Sequence, residues 1–250
     1  MTTAFDPIQF LPAQIQLFDS LPSTNEHLKH QASAPEGSVV WALQQTHGKG
    51  QQANQWLSEA GKNITLSILL KPNHLLASEA FRLSKAISLA VQSTVSHFVN
   101  SPVQIKWPND IYIHSQKVAG ILIENTIQGD RLKHSVVGIG LNVNQTFFLS
   151  DNNPTSLSKV TGESYVLKEV VDVLLTFISA RYLQLQLKSY KKIEVDYFQQ
   201  LYNVATEQTF VIHDEINHCV IKDVLPNGSI VLKIKEENKT YLYGDAKWKI

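Results

Sequence analysis

The sequence predicts an α/β (α+β) protein: a mixed β-sheet packed with helices over residues 1–203, then a small β-barrel module over residues 204–250. Two observations predict it. As far as Tyr202, short apolar runs rich in β-branched residues alternate with longer stretches of helical period, and two of the runs lie close enough to form a hairpin. After Tyr202 the texture changes to about 45 residues of short, closely spaced strands.

Taken in order, Gln14–Phe18 alternates polar and apolar residues and reads as a short strand. Ser23-Thr24-Asn25-Glu26 has the form of a capping box, with Ser23 capping a helix and Glu26 reaching back to the cap. Val39–Gln44 and Ile64–Leu70 read as buried strands, and the polar, glycine-containing stretch Thr46–Lys62 between them as irregular. Ala80–Phe98 puts Leu83, Ile87, Ala90, Val91, Val95 and Phe98 on one face of a helix. Val103–Trp107 is a strand ended by Pro108-Asn109-Asp110, and Ile111–Ile113 and Val118–Asn125 form a hairpin around His114-Ser115-Gln116. His134–Val143 is a further strand, and Lys168–Leu187 and Glu194–Tyr202 are helices. Thr209–His213, His218–Val224, Ser229–Lys235, Lys239–Tyr243 and Ala246–Lys249 supply the strands of the module, with Pro226-Asn227-Gly228 as a tight turn.

Composition narrows the class. Lys+Arg and Asp+Glu are 22 each, so overall charge favours neither a nucleic acid nor an anionic membrane as partner. One cysteine, Cys219, excludes an intramolecular disulfide framework and a multi-thiolate metal site, and His27, His47, His97 and His213 show no paired ligand spacing. Residues 1–10 lack the basic-then-apolar pattern of a signal peptide, and no run approaches the roughly 18 apolar residues of a membrane span. A cytoplasmic protein is expected, which makes the sequons at Asn63, Asn144, Asn227 and Asn238 coincidental.

Three segments carry candidate chemistry. Ser23-Thr24-Asn25 follows a strand; capping accounts for it, although free N–H groups and small hydroxyls at a helix start also hold a carbonyl or ureido oxygen. Gln44-Gln45-Thr46-His47-Gly48-Lys49-Gly50-Gln51-Gln52, with Trp56 and Gly61 after it, is either a surface loop or a turn offering N–H groups and one cation to an anion. It is not a Walker A loop, since the spaced first Gly and the Ser/Thr after Gly-Lys are missing. Lys106-Trp107-Pro108-Asn109-Asp110-Ile111-Tyr112, followed by Lys117-Val118-Ala119-Gly120-Ile121-Leu122-Ile123-Glu124, sets two lysines and an Asn-Asp pair at strand ends. It reads as an edge hairpin with solvated lysines, or as lysines facing a polyanion with Asp110 orienting a lysine or helping to hold magnesium, and Gly120 leaving room for a ligand.

The third segment closely resembles the K-W-P-N-D…K-x-A-G-I-L-x-E signature of the biotin–protein ligases. The second resembles their Q-x-x-G-R-G-R-R-G-x-x-W loop, the first their S-T-N helix start, and Gly138–Asn144 their G-x-G-I-N strand, all in family order. The resemblance covers most of the chain and includes a C-terminal module similar to an SH3-like barrel. It implies that biotin and ATP, with Mg2+, are substrates, that biotinyl-adenylate is formed, and that a lysine of a biotin carboxyl carrier domain accepts the biotin. By the same resemblance Ser23, Thr24, Asn25 and Gln45 contact the biotin head, Lys49, Gly50 and Gln51 close over it, and Lys117 and Gly120 lie beside it. Lys117, Lys49, Lys106 and Asp110 would act in catalysis; Trp56, Lys106, Asn109 and Asn142 would face the nucleotide, and Asp110 the magnesium.

Two departures accompany the resemblance. Lys49, Gln51 and Gln52 stand where many members carry arginines, and Ala53 replaces a common glycine, so the loop lacks the forked phosphate contacts only arginine makes. About 13 residues precede the first strand, too few for the helix-turn-helix of the members that double as repressors, which implies the stand-alone form. Two rivals remain at this point. A lipoate or octanoate ligase or transferase has a related fold but usually an R-R-x-S-G-G-G-like loop; a non-catalytic biotin- or nucleotide-binding protein would show no biotin-dependent ATP–pyrophosphate exchange. An exposed strand edge would serve a homodimer or the acceptor by the same backbone hydrogen bonds.

Overall fold

The structure is a computed structural model that describes residues 12, 14–31, 33–51, 54–149, 153–204 and 206–249. Gln52 and Ala53, and the segment preceding Pro12, lie outside the described residues.

Among the described residues, twelve strands form two sheets and five α-helices pack with them. β1 (Gln14–Leu21), α1 (Thr24–Lys29) and β2 (Ser38–Gln45) form a crossover that makes β1 and β2 parallel. β3 (Ile64–Leu70), β4 (Val103–Lys106), β5 (Asp110–Ile113), β6 (Gln116–Gln128) and β7 (Arg131–Leu141) complete a seven-stranded sheet of order β1-β2-β3-β7-β6-β5-β4, antiparallel except for that first pair. The predicted mixed sheet is therefore present. The segment Lys106–Glu124 is not wholly an edge feature, because β6 lies inside the sheet between β5 and β7.

Strand parity explains how this sheet holds both a core and a site. Ile64, Leu66, Ile68 and Leu70 of β3 join the main core with Leu83, Ile87, Ala90, Val91 and Val95 of α2 (Phe81–Phe98). On the alternate positions, Leu69 packs with Leu28, Val40 and Val136 in a second, smaller core beneath α1, while Ser67 turns to α1 itself. α4 (Leu167–Gln186) backs α2 and buries Val170, Val171, Leu174, Leu175 and Ile178. No helix among the described residues is long and apolar enough to cross a membrane.

Three expectations need correction. Only half the capping box forms: Ser23 Oγ accepts from the Glu26 N–H at 3.5 Å, but the Glu26 carboxylate turns outward to Lys29 and Lys49 instead of back to the cap. The last helix, α5, spans Tyr190–Gln199 rather than Glu194–Tyr202. Its apolar period begins at Tyr190, which packs under the Arg82 guanidinium at 4.1 Å, and it ends early because Gln200 and Tyr202 hydrogen-bond Ile105 along the outer side of β4. A short helix, α3 (Leu157–Thr161), was not predicted; Ser156 caps it and Gly162, at φ 81°, ends it.

β8 (Gln208–Ile212), β9 (Glu215–Val224), β10 (Ile230–Ile234), β11 (Glu237–Tyr241) and β12 (Ala246–Lys249) form an antiparallel sheet of order β11-β10-β9-β8-β12 at the C-terminal end. Several contacts seat it on the rest of the chain. Trp107 Nε1 donates to the Gly228 carbonyl at 3.1 Å, and the Phe81 N–H to that of Pro226 at 3.1 Å. The buried Lys85 donates to the Val224 carbonyl at 2.5 Å, and the Trp107 and Tyr243 rings meet edge to face at 5.5 Å. Burial lowers the Lys85 pKa, with Glu194 and Asp223 acting against it.

Candidate active site

A cavity of about 150 Å³ opens where α1, the loop after β2, and β5, β6 and β7 converge. Its shape depends on residues without side chains. The register sets Gly120 opposite Gly140, and Gly138 opposite both Ser67 and Leu122. A β-carbon on Gly140 would stand 2.6 Å from Cζ2 of Trp56, and one on Gly138 would run into the Asn25 amide. The Trp56 indole and Asn25 thus lie directly on the sheet backbone, one as wall and one as floor.

At the α1 end the lining is polar and uncharged. Thr24 donates its N–H to Gln45 Oε1 at 2.7 Å and its hydroxyl to the same oxygen at 3.1 Å. Ser67 Oγ lies 2.7 Å from Thr24 Oγ1 and 2.5 Å from Asn25 Oδ1; its single proton serves these two acceptors. Asn25 Nδ2 donates to Glu124 at 2.7 Å, so both ends of that amide are held by protein. At this end of the cavity the Gln45 amide nitrogen and the Ser23 hydroxyl proton have no hydrogen-bond partner among the described residues. A carbonyl-type oxygen is the partner this pair suits.

The other end carries charge. Lys117 on β6 pairs with Asp110 on β5 at 2.7 Å and lies 5.8 Å from the Trp56 ring centroid. Asp110 and Lys117 are thus an ion pair in the wall of the cavity. No group of three or more His, Cys, Asp or Glu side chains suited to a metal ion occurs among the described residues. Lys49, half exposed, pairs with Glu26 at 2.6 Å and holds its carboxyl below the usual range. Tyr243 reaches the cavity from the C-terminal sheet; burial, then the neighbouring Asp110 charge, raises its pKa.

Most of the residues singled out in the sequence line this cavity: Ser23, Thr24, Asn25, Gln45, Lys49, Gly50, Gln51, Trp56, Asn109, Asp110, Lys117 and Gly120. Two do not. Lys106 is half-buried with its ammonium 5.3 Å from the Tyr112 ring centroid, and burial lowers its pKa, with Asp110 opposing and Lys117 adding to the effect. Asn142 is buried behind the site and donates to the Thr155 carbonyl at 2.9 Å, leaving its own Oδ1 without a partner. The sequence singled out Gly138–Asn144 as a motif strand but gave Gly138 and Gly140 no place in the site, and it missed Ser67, Gln55 and Tyr243. Ser67 left a trace, since it interrupts an apolar strand.

The fold and cavity together define a class: a sheet-floored pocket with uncharged polar donors at one end and a lysine–carboxylate pair at the other. A model of the biotin/lipoate A/B protein ligase family matches residues 17–142. The chain belongs to that family. Bifunctional ligase/repressor BirA of Bacillus subtilis is 34% identical over 170 residues, 66% of this chain and 52% of the relative. The biotin–[acetyl-CoA-carboxylase] ligase of Mycobacterium tuberculosis is 30% identical over 177 residues, 68% and 65% of the two chains. The biotin protein ligase of Aquifex aeolicus in complex with biotin and ATP superposes with a TM-score of 0.80 at 26% identity, covering 95% of this chain and 99% of the other. The chain spans about half the length of the first curated relatives it matches.

Proposed function

We propose that this chain is an ATP-dependent biotin–protein ligase, which activates biotin as biotinyl-5'-adenylate and transfers it to a lysine of a biotin carboxyl carrier domain. The observation that carries the reading is the pairing, in one cavity, of two free uncharged donors at the α1 end with Lys117 at the β6 end. A ureido oxygen satisfies the Ser23 hydroxyl and Gln45 amide. The bicyclic body rests against Trp56 and the glycine floor, and the carboxylate lies toward Lys117. Lipoate has a dithiolane head with no comparable acceptor, so the donor pair favours biotin.

The chemistry asks for alignment more than covalent help. A biotin carboxylate oxygen attacks the α-phosphorus of ATP and pyrophosphate leaves; the acceptor amine then attacks the acyl carbon and AMP leaves. Lys117 balances charge on the anhydride oxygens, and Asp110 keeps that ammonium in place between turnovers. ATP brings its magnesium ligated chiefly by phosphate oxygens and water, a mode for which one protein carboxylate such as Asp110 suffices. Asn109, fixed to Ile121 by two hydrogen bonds, borders the nucleotide side of the cavity. Lys106 and Asn142 support this wall from behind.

Incubation with biotin, MgATP and a carrier domain, followed by mass measurement of the carrier, should show one added biotinyl group, and ATP–pyrophosphate exchange should depend on biotin. Exchange driven equally by lipoate, or none at all, would overturn the reading. The thinned loop has its own consequence. Gln51 Oε1 is buried without a partner, and no arginine stands in the described part of the loop. Gln51→Arg is expected to slow escape of biotinyl-adenylate about tenfold, through one or two charge-assisted bonds. Unchanged retention in a filter-binding chase would count against it. For a second copy or the acceptor domain, β1 offers an edge with Ile15 and Leu17 exposed, whereas β4 is covered by Gln200–Tyr202.

A further inference from the structure

Four ionised side chains link the loop over the cavity to the amide on its floor. Lys49 pairs with Glu26 at 2.6 Å, Glu26 with Lys29 at 3.2 Å, Lys29 with Glu124, and Glu124 accepts from Asn25 Nδ2 at 2.7 Å. The chain runs from the loop to α1, then to β6, and back to α1. Its charges alternate and cancel. Lys49 is the one cation in the described part of the stretch Thr46–Trp56.

Among the described residues the loop is otherwise held near its root, by bonds within itself, and at its far end by Trp56, which packs on β6 and β7. Thr46 and His47 donate backbone N–H groups to Leu21 and Pro22, next to the strand they leave. Gly50 N–H donates to Asn54 and Trp56 N–H to Gly48, bonds that shape the turn without tying it to another element. Its described tip, Lys49–Gln51, meets α1 through the Lys49–Glu26 pair. Glu26 is free to make that pair because it does not turn back to the helix cap.

We infer that Glu26 is a positioning residue that latches the Gly48–Gln51 turn over the cavity through Lys49. The inference rests on the proposed ligase reading and deepens it. Glu26 touches no reacting atom; it acts through Lys49, and the Lys29–Glu124 pair keeps its carboxylate facing the loop while bracing Asn25. The latch sets how long the cavity stays shut and hence how long an activated intermediate is retained. Both partners are partly exposed, at 52% and 35% of side-chain surface, so the effect is that of a screened surface pair: about a two- to fivefold change in lifetime.

The test is a double-mutant cycle on the full chain, begun only after wild-type protein has shown biotin-dependent pyrophosphate exchange. Absence of that exchange would sink the ligase reading, whereas the cycle tests the latch. Glu26→Gln should speed loss of bound biotinyl-adenylate about threefold and raise the KM for biotin similarly, with exchange kcat at saturating biotin unchanged within twofold. In a Lys49→Met background the same substitution should have no effect. The charge-swapped pair Glu26→Lys with Lys49→Glu should restore the wild-type lifetime more fully than either single change. An equal Glu26→Gln effect with Lys49 absent means that Glu26 acts through α1 alone and overturns the latch. Slower loss of adenylate in Glu26→Gln also overturns it, since that is the result if Glu26 merely withholds Lys49 from the ligand. Should Glu26→Gln lower the thermal midpoint, the charge-swapped pair still decides.

Discussion

Lys117→Met is expected to lower biotin-dependent ATP–pyrophosphate exchange by about 10²–10³-fold, the usual cost of removing one preorganised group that faces charge developing in a transition state. Two effects combine. The ammonium that would neutralise the attacked phosphate is lost, and the Asp110 carboxylate, 2.7 Å from it in the native chain, is left as an uncompensated anion in a site that must accept anions. The second effect can be separated. Adding Asp110→Asn to Lys117→Met should recover part of the loss by removing the stray charge, while Asp110→Asn alone should cost less than Lys117→Met. Lys117 is partly exposed and pairs with a partly exposed carboxylate, so the thermal midpoint should move little. A Lys117→Met protein that keeps a tenth or more of its exchange activity would remove Lys117 from the reaction.

Gly140→Val should be nearly as damaging, by an unrelated route. The Trp56 indole rests on the bare backbone at Gly140, with the Lys117 ammonium on its flank. A branched side chain there must push Trp56 into the cavity or shift β7, the strand between β3 and β6 on which the site is registered. Overpacking of this kind costs about 1–3 kcal/mol. Taken wholly from biotin affinity, that corresponds to a Kd raised roughly 5- to 150-fold. Titration calorimetry would measure it, and Gly140→Ala should lie between wild type and valine. An unchanged Kd for biotin in Gly140→Val would show that Trp56 does not border the ligand.

Much of the fold could be read from local pattern. The strands and the two long helices fall within a few residues of their predicted places because apolar period and burial agree there. α5 was misplaced because its ends are set by tertiary partners, Arg82 at one end and Ile105 at the other, which no local window contains. α3 escaped notice although Ser156 and Gly162 mark its ends, since five residues are too few to show a period. In the site, the motif residues were legible because each lies in a short segment with unusual composition. Ser67 and Tyr243 were not. Ser67 matters only because register places it across from Gly138, and Tyr243 only because the C-terminal sheet docks where it does. Lys106 and Asn142 show the converse: they sit in the motifs, yet Lys106 lies over the Tyr112 ring and Asn142 is bonded to Thr155, and neither lines the cavity.

The seam between the two sheets has a consequence for how such a chain can be recombined. Trp107, whose indole bonds to Gly228 and whose ring meets Tyr243, lies between Lys106 and the Asn109–Asp110 pair at the cavity's edge. Gly228 itself leaves space for the Phe81 ring, which a β-carbon would approach to 2.8 Å. A C-terminal segment transplanted from another family member must therefore bring a residue as small as glycine at 228 and an aromatic at 243, or the host must change Phe81 and Trp107 in compensation. A crossover placed near Val204 would separate residues that have to be chosen together.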